Sequence, residues 1–146
     1  MKGLAWFLGI AAGFGLTVQV GMNAQLRKAL QSANTAALVS FVVGTLALIM
    51  LVLALRTPVP DRGTLAAVPV WAWFGGVLGA FYVASSTIVA VELGATTLLG
   101  LALLGQLSTA LVIDHFGWLG LPENPITLSR LAGVALLAVG VWLVAR

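Results

Sequence analysis

The chain has 146 residues, 61% hydrophobic and only 8% charged, with seven Lys and Arg against four Asp and Glu. Soluble domains carry roughly 25% charged residues, and so few charges cannot form the polar shell that keeps an apolar chain dispersed in water. A soluble globule is therefore excluded, and the lipid bilayer is the expected surroundings. The seven basic residues are scattered without a patch or stripe, which argues against a nucleic-acid partner. Zero Cys and a single His, His115, remove disulfides and thiolate chemistry and leave no basis for a metal centre or other cofactor.

A spanning helix needs about 20 mostly apolar residues, and five stretches meet that length: 4–26, 35–55, 68–91, 95–113 and 127–145. The expectation is thus a single all-α integral membrane domain over 1–146 with five transmembrane helices. The first span follows Met1-Lys2 like a signal peptide, but its apolar run is longer than a signal core and no small-x-small cleavage site stands out, so it is read as a mature helix. Gln19 and Asn23 stand four apart in it and share one face. An amide unpaired in hydrocarbon costs several kcal/mol, so the pair must look either to another helix or into a substrate path. Arg27, Lys28 and the run Gln31 to Asn34 close this span.

The second span ends at Arg56 to Gly63, where Pro58 and Pro60 stop a helix. The third carries Trp71, Gly75, Gly79, Tyr82 and Ser86 at helical spacing, a single stripe of aromatic wall, small gaps and two hydroxyls. Core packing and substrate lining are both open for it. Gly9 with Gly13, and Gly75 with Gly79, are small-residue pairs that let helices approach. Glu92-Leu93-Gly94 reads as a tight turn, with Ala95-Thr96-Thr97 able to cap the next helix, so spans three and four are expected to form a hairpin. In span four Gln106 and Thr109 share a face, with hydroxyls bonding back to their own helix as the alternative. Gly117 to Pro125 forms the last loop, and Gly133 and Gly140 lie seven apart on one face of span five, where they suit a helix–helix seam.

No carboxylate falls near the middle of a span. Glu92 is the nearest candidate for coupling, against its reading as a solvated turn residue, and Asp114-His115 reads as an interfacial cap or snorkelling pair rather than a proton relay. Trp6, Trp71, Trp73, Trp118 and Trp142 fall near span ends and read as interfacial anchors, Trp71 doubling as a wall of the site. Lys2, Arg56, Arg62 and Arg130 lie on one side and Arg27, Lys28 and Arg146 on the other. So balanced a count points to insertion in both orientations, or else to a topology fixed by other features. Two inverted copies would form a ten-helix antiparallel dimer, the two-halves plan common among transporters.

Several runs together resemble a known group. Gly133 to Val141 resembles the dimer-forming last helix of the small multidrug resistance transporters. Gln19-x-x-x-Asn23-x-x-Leu26, Ser40-Phe41-x-x-Gly44-Thr45, Gly75-Gly76-x-x-Gly79-x-Phe81, Gly94-Ala95-Thr96-Thr97, Gly105-Gln106-Leu107 and Ile113-Asp114-His115-Phe116-Gly117 resemble, in order and across nearly the whole chain, the YdcZ-type branch of the drug/metabolite transporter superfamily. The resemblance implies a bacterial inner-membrane, five-span half-transporter that pairs with an inverted copy or a related half, and it implies no substrate. Where the first helix of the small multidrug resistance transporters carries a central glutamate, this chain has Gln19 and Asn23. That departure counts against proton-coupled cation export and favours a neutral or zwitterionic solute.

The expected function is secondary-active transport of a small solute, with Gln19, Asn23, Trp71, Tyr82, Ser86 and Gln106 lining the path and Gly133 and Gly140 at the dimer seam. A small dual-topology channel and a non-transporting membrane subunit compete with it. An enzyme is not expected, since one His, no Cys and no paired acids offer little from which to assemble a nucleophile and base.

Overall fold

The computed structural model describes residues 2–146, and Met1, with the side chain of Lys2 that entered the orientation count, lies outside the described residues. Among these residues the only regular secondary structure is helical: α1 (Lys2–Leu30), α2 (Ala33–Ala54), α3 (Arg62–Ala66), α4 (Gly75–Leu93), α5 (Ala95–Phe116) and α6 (Leu128–Val144), with 3₁₀ turns at Val70–Phe74 and Trp118–Gly120. Four segments are long and apolar enough to cross a membrane: Gly3–Leu30, Ala33–Ala54, Val70–Leu93 and Ala95–Phe116. The fifth apolar helix, α6, has 17 residues and rises about 26 Å.

The helix limits follow from local chemistry. α1 runs past the expected end through Arg27 and Lys28, because basic side chains suit a helix C-terminus. Its break is a single left-handed residue, Gln31 (φ 54°), whose amide donates to the Lys28 carbonyl. Ser32 then caps α2, its Oγ accepting from the Thr35 backbone N–H at 3.2 Å, so α2 begins two residues before the expected Thr35. Asp61 caps the short α3 by accepting from Thr64 N–H at 2.7 Å, and this bond holds its carboxyl below the usual carboxylate range. The expected loop after Arg56 therefore contains one helical turn, which the Asp61-x-x-Thr64 spacing could have signalled. The third span is not α-helical throughout: Val70–Phe74 is a 3₁₀ turn, and the α-helix starts at Gly75. Gly94 (φ 82°) is the whole link between α4 and α5, and no side chain caps α5, which corrects the capping role expected of Ala95 to Thr97.

The chain forms two compact units, 1–88 and 89–146. In the first, the buried residues are small or medium: Val20 and Asn23 on α1, Ala36 and Ala37 on α2, Val83, Ser86 and Thr87 on α4. Most large side chains face outward instead, with Phe14 73% and Trp6 76% exposed. In water this would leave an apolar surface uncovered; in lipid, packing comes from close approach of small residues while large apolar ones meet the acyl chains.

In the second unit α5 packs on α6 at Gly100, where an added Cβ would stand 3.0 Å from Val141 Cγ2. Beyond α5 the chain reverses at Gly117 (φ 60°), a left-handed C-cap whose N–H bonds the Asp114 carbonyl. The reversal is fastened around Asp114 and His115. The Asp114 carboxylate pairs with the Arg130 guanidinium, its carbonyl accepts Asn124 N–H at 2.7 Å, and His115 Nδ1 accepts Ile126 N–H at 3.3 Å. Gly117→Ala is expected to destabilise this unit by about 1–2 kcal/mol, the cost of a side chain in the left-handed region. A melt in detergent monitored by circular dichroism checks it, and an unchanged midpoint would mean the turn readjusts.

Candidate functional site

In the unit 1–88, three helices bring polar groups together near their middles. Gln19 comes from α1, Ser40 and Thr45 from α2, and Tyr82 from α4; all four line one cavity of about 330 Å³, with Phe41 and Gly79 among its apolar walls. Helical spacing explains the convergence: Phe41 and Thr45 are one turn apart on one face of α2, as are Gly79 and Tyr82 on α4. Gly79 allows close approach, since a Cβ there would lie 3.4 Å from Phe41 Cζ. A second recess of about 510 Å³ on the α2–α4 side is almost wholly apolar, with Asn34 its one polar residue.

The hydroxyls of this unit divide into two groups. Those of Thr17, Ser86 and Thr87 donate to backbone carbonyls of their own helices, at Gly13, Val83 and Ala84. Such local bonding satisfies a hydroxyl without any ligand. Ser40 and Thr45 make no such bond among the described residues, and the Tyr82 Oη is buried without a partner. Burying a hydroxyl that lacks a hydrogen bond costs about 1–3 kcal/mol, so the Tyr82 Oη is arranged for a partner from the cavity, whose wall also offers the less buried Ser40 and Thr45 hydroxyls.

Above the cavity, Asn23 is 3% exposed and carries the α1 face on toward Arg27. The Arg27 guanidinium donates to the carbonyls of Thr87 at 2.9 Å and Ile88 at 3.4 Å, which ties α1 to α4. The cation is thus occupied by backbone dipoles rather than directed to the cavity.

The expected site residues therefore separate. Gln19 and Tyr82 meet in the cavity. Asn23 is buried one turn along α1, and the Ser86 hydroxyl is satisfied by its own helix. Trp71 lies in the 3₁₀ turn and is 56% exposed, so the stripe along a single α-helix holds only from Gly75 to Ser86. Gln106 and Glu92 are exposed residues of the other unit. Gly133 and Gly140 have nothing within 4 Å of a built Cβ, so neither serves the internal α5–α6 contact. Sequence reasoning passed over Ser40 and Thr45 as site residues, although their run Ser40-Phe41-x-x-Gly44-Thr45 carried part of the family resemblance. Among the described residues no group of three His, Asp or Glu side chains is placed to hold a metal.

Four apolar helices of membrane length define a multi-pass membrane protein. The comparisons narrow the class. The family described as "Putative inner membrane exporter, YdcZ" matches residues 4–143. The inner membrane protein YdcZ of Escherichia coli (strain K12) is 32% identical over 138 residues, covering 94% of this chain and 91% of that protein. The chain belongs to the YdcZ-type family, related to the drug/metabolite transporters, and is a protein of the bacterial inner membrane. No solved structure matches it.

Proposed function

We propose that the protein is a secondary-active exporter of a small solute, working by alternating access in a dimer of two inverted five-span copies. In this reading α6 is the fifth span, short but extended by its flanking residues, and the partner is a second copy of the chain. A related half-transporter is the other partner that five spans would accommodate. Membership of a family described as exporters supports transport; the observation that carries the site is the convergence of Gln19 and the unpartnered Tyr82 hydroxyl on one cavity. Asn23 extends the polar face of the path, and Ser86, buried with its hydroxyl on the Val83 carbonyl, lies on the same α4 face as Tyr82. Trp71, Gln106 and Glu92 join the path only where the assembled dimer brings them to it. Rocking of one half against the other around a midplane site needs no covalent step from the chain.

Two measurements test the reading. A carboxyl-terminal topology reporter on the chain expressed alone is expected to give signal from both sides of the membrane; signal from one side only would remove the inverted homodimer. In proteoliposomes, Gln19→Leu is expected to lower counterflow of a solute found by screening about tenfold or more, because the solute loses an amide hydrogen-bond partner in the cavity wall. Unchanged counterflow would take Gln19 out of the site. Flux without saturation or exchange would replace the transporter by a channel.

A further inference from the structure

The composition of the cavity wall speaks to the kind of solute it takes. None of the residues lining it is charged. The one cation on the same helix face, Arg27, has its guanidinium on the Thr87 and Ile88 carbonyls. A charged solute would leave water for a chamber with no counter-ion, which is costly in membrane interiors. The hydrogen-bonding capacity on offer is large by contrast. The Tyr82 Oη is buried and unpartnered, the Ser40 and Thr45 hydroxyls are not spent on their own helix, and Gln19 adds an amide with two donors and an acceptor. The Phe41 ring, lying against Gly79, adds an apolar wall. At about 330 Å³ the chamber is at the small end of ligand sites.

We infer that the cavity binds an uncharged solute with an amide-like edge and a flat apolar body: the Tyr82 hydroxyl donates to the solute's carbonyl, Ser40, Thr45 and Gln19 complete the hydrogen bonds, and Phe41 covers the ring or alkyl part. The inference rests on the transporter reading above and adds to it the substrate class and two specificity residues, Ser40 and Thr45.

Tyr82 is the chain's single tyrosine, so biosynthetic 3-fluorotyrosine places one ¹⁹F reporter at the site. The full-length protein in detergent is titrated with three probes of one shape: benzamide, benzoate and benzylammonium. Benzamide is expected to produce a saturable shift of the single resonance, with an apparent affinity at least about tenfold above either charged probe. Ser40→Ala and Thr45→Val should each weaken benzamide by about two- to tenfold. Thr17→Val, whose parent hydroxyl is bonded to the Gly13 carbonyl, should leave it unchanged, which separates loss of site contacts from loss of fold. Tighter binding of a charged probe, or no saturable shift with benzamide, overturns the assigned class. The Gln19→Leu counterflow result is independent of probe charge: a charged solute whose transport still requires Gln19 would keep the site and remove only the class.

Discussion

Gly79→Leu is expected to close the cavity of the first unit while leaving the helices in place. A Cβ at position 79 already stands 3.4 Å from Phe41 Cζ, and Gly79 lines the cavity, so the remaining carbons of leucine are expected to take up space in it. Overpacking of this kind costs about 1–3 kcal/mol, an amount a lipid-embedded helix can absorb, whereas loss of the chamber volume is absolute for a solute. The chain's lack of cysteine allows a direct reading without knowledge of the substrate. Thr45→Cys should react with a small water-soluble methanethiosulfonate, because the proposed alternating-access cycle opens the cavity to water. Ala36→Cys, at a fully buried position, should not react. Adding Gly79→Leu should slow labelling at position 45 by about tenfold or more, with Gly79→Ala far milder. If Thr45→Cys is inert with Gly79 present, the recess faces acyl chains and is no solute site. If it labels equally fast when combined with Gly79→Leu, the glycine does not govern access.

The second large effect separates the internal helix contact from the external one. Gly100 and Gly140 are both helical glycines in the second unit, yet their surroundings differ. A Cβ at Gly100 would lie 3.0 Å from Val141 Cγ2 and 3.4 Å from Cγ1, while one at Gly140 would meet nothing within 4 Å. Gly100→Leu should therefore force α5 away from α6 and lower stability by about 1–3 kcal/mol, seen as a lower melting point in detergent and in poor yield. Gly140→Leu should leave the isolated chain's helicity intact and instead reduce cross-linked dimer, since the proposed dimer places Gly133 and Gly140, which meet nothing within the chain, against a second copy. Undiminished cross-linking in Gly140→Leu would move the seam elsewhere on the chain. A melting point unaffected by Gly100→Leu would show that Val141 and its helix yield without cost.

The loop fastened by Asp114, His115 and Arg130 shows why certain residues resist reading from spacing alone. Asp114-His115 at a helix end looks like an interfacial pair, and the structure indeed leaves both half-buried. Its use is nevertheless to hold a chain reversal: a carboxylate on a guanidinium sixteen residues on, a carbonyl on the Asn124 N–H, a ring nitrogen on the Ile126 N–H. No periodicity reports such partners, because they depend on where a non-repetitive loop returns.

Much of the protein was legible in the sequence because a bilayer imposes one-dimensional rules. Scarce charge excluded water as the surroundings, apolar run lengths located four helices of membrane length and a shorter fifth apolar one, and ordered short motifs indicated the YdcZ-type family, all without any knowledge of contacts. Ends were less legible: α1 and α2 meet at Gln31 and Ser32 and the third span begins as a 3₁₀ turn, since caps and left-handed residues are decided by single hydrogen bonds. Tertiary structure alone decided which polar residues face a shared space. Gln19 and Tyr82 meet, Ser40 and Thr45 join them, and Ser86 turns back to its own helix. The physical reason is that helical spacing places a side chain on a face, but whether a hydroxyl is spent on its own backbone or left for a solute depends on the neighbouring helix, and on the glycine that lets it come close.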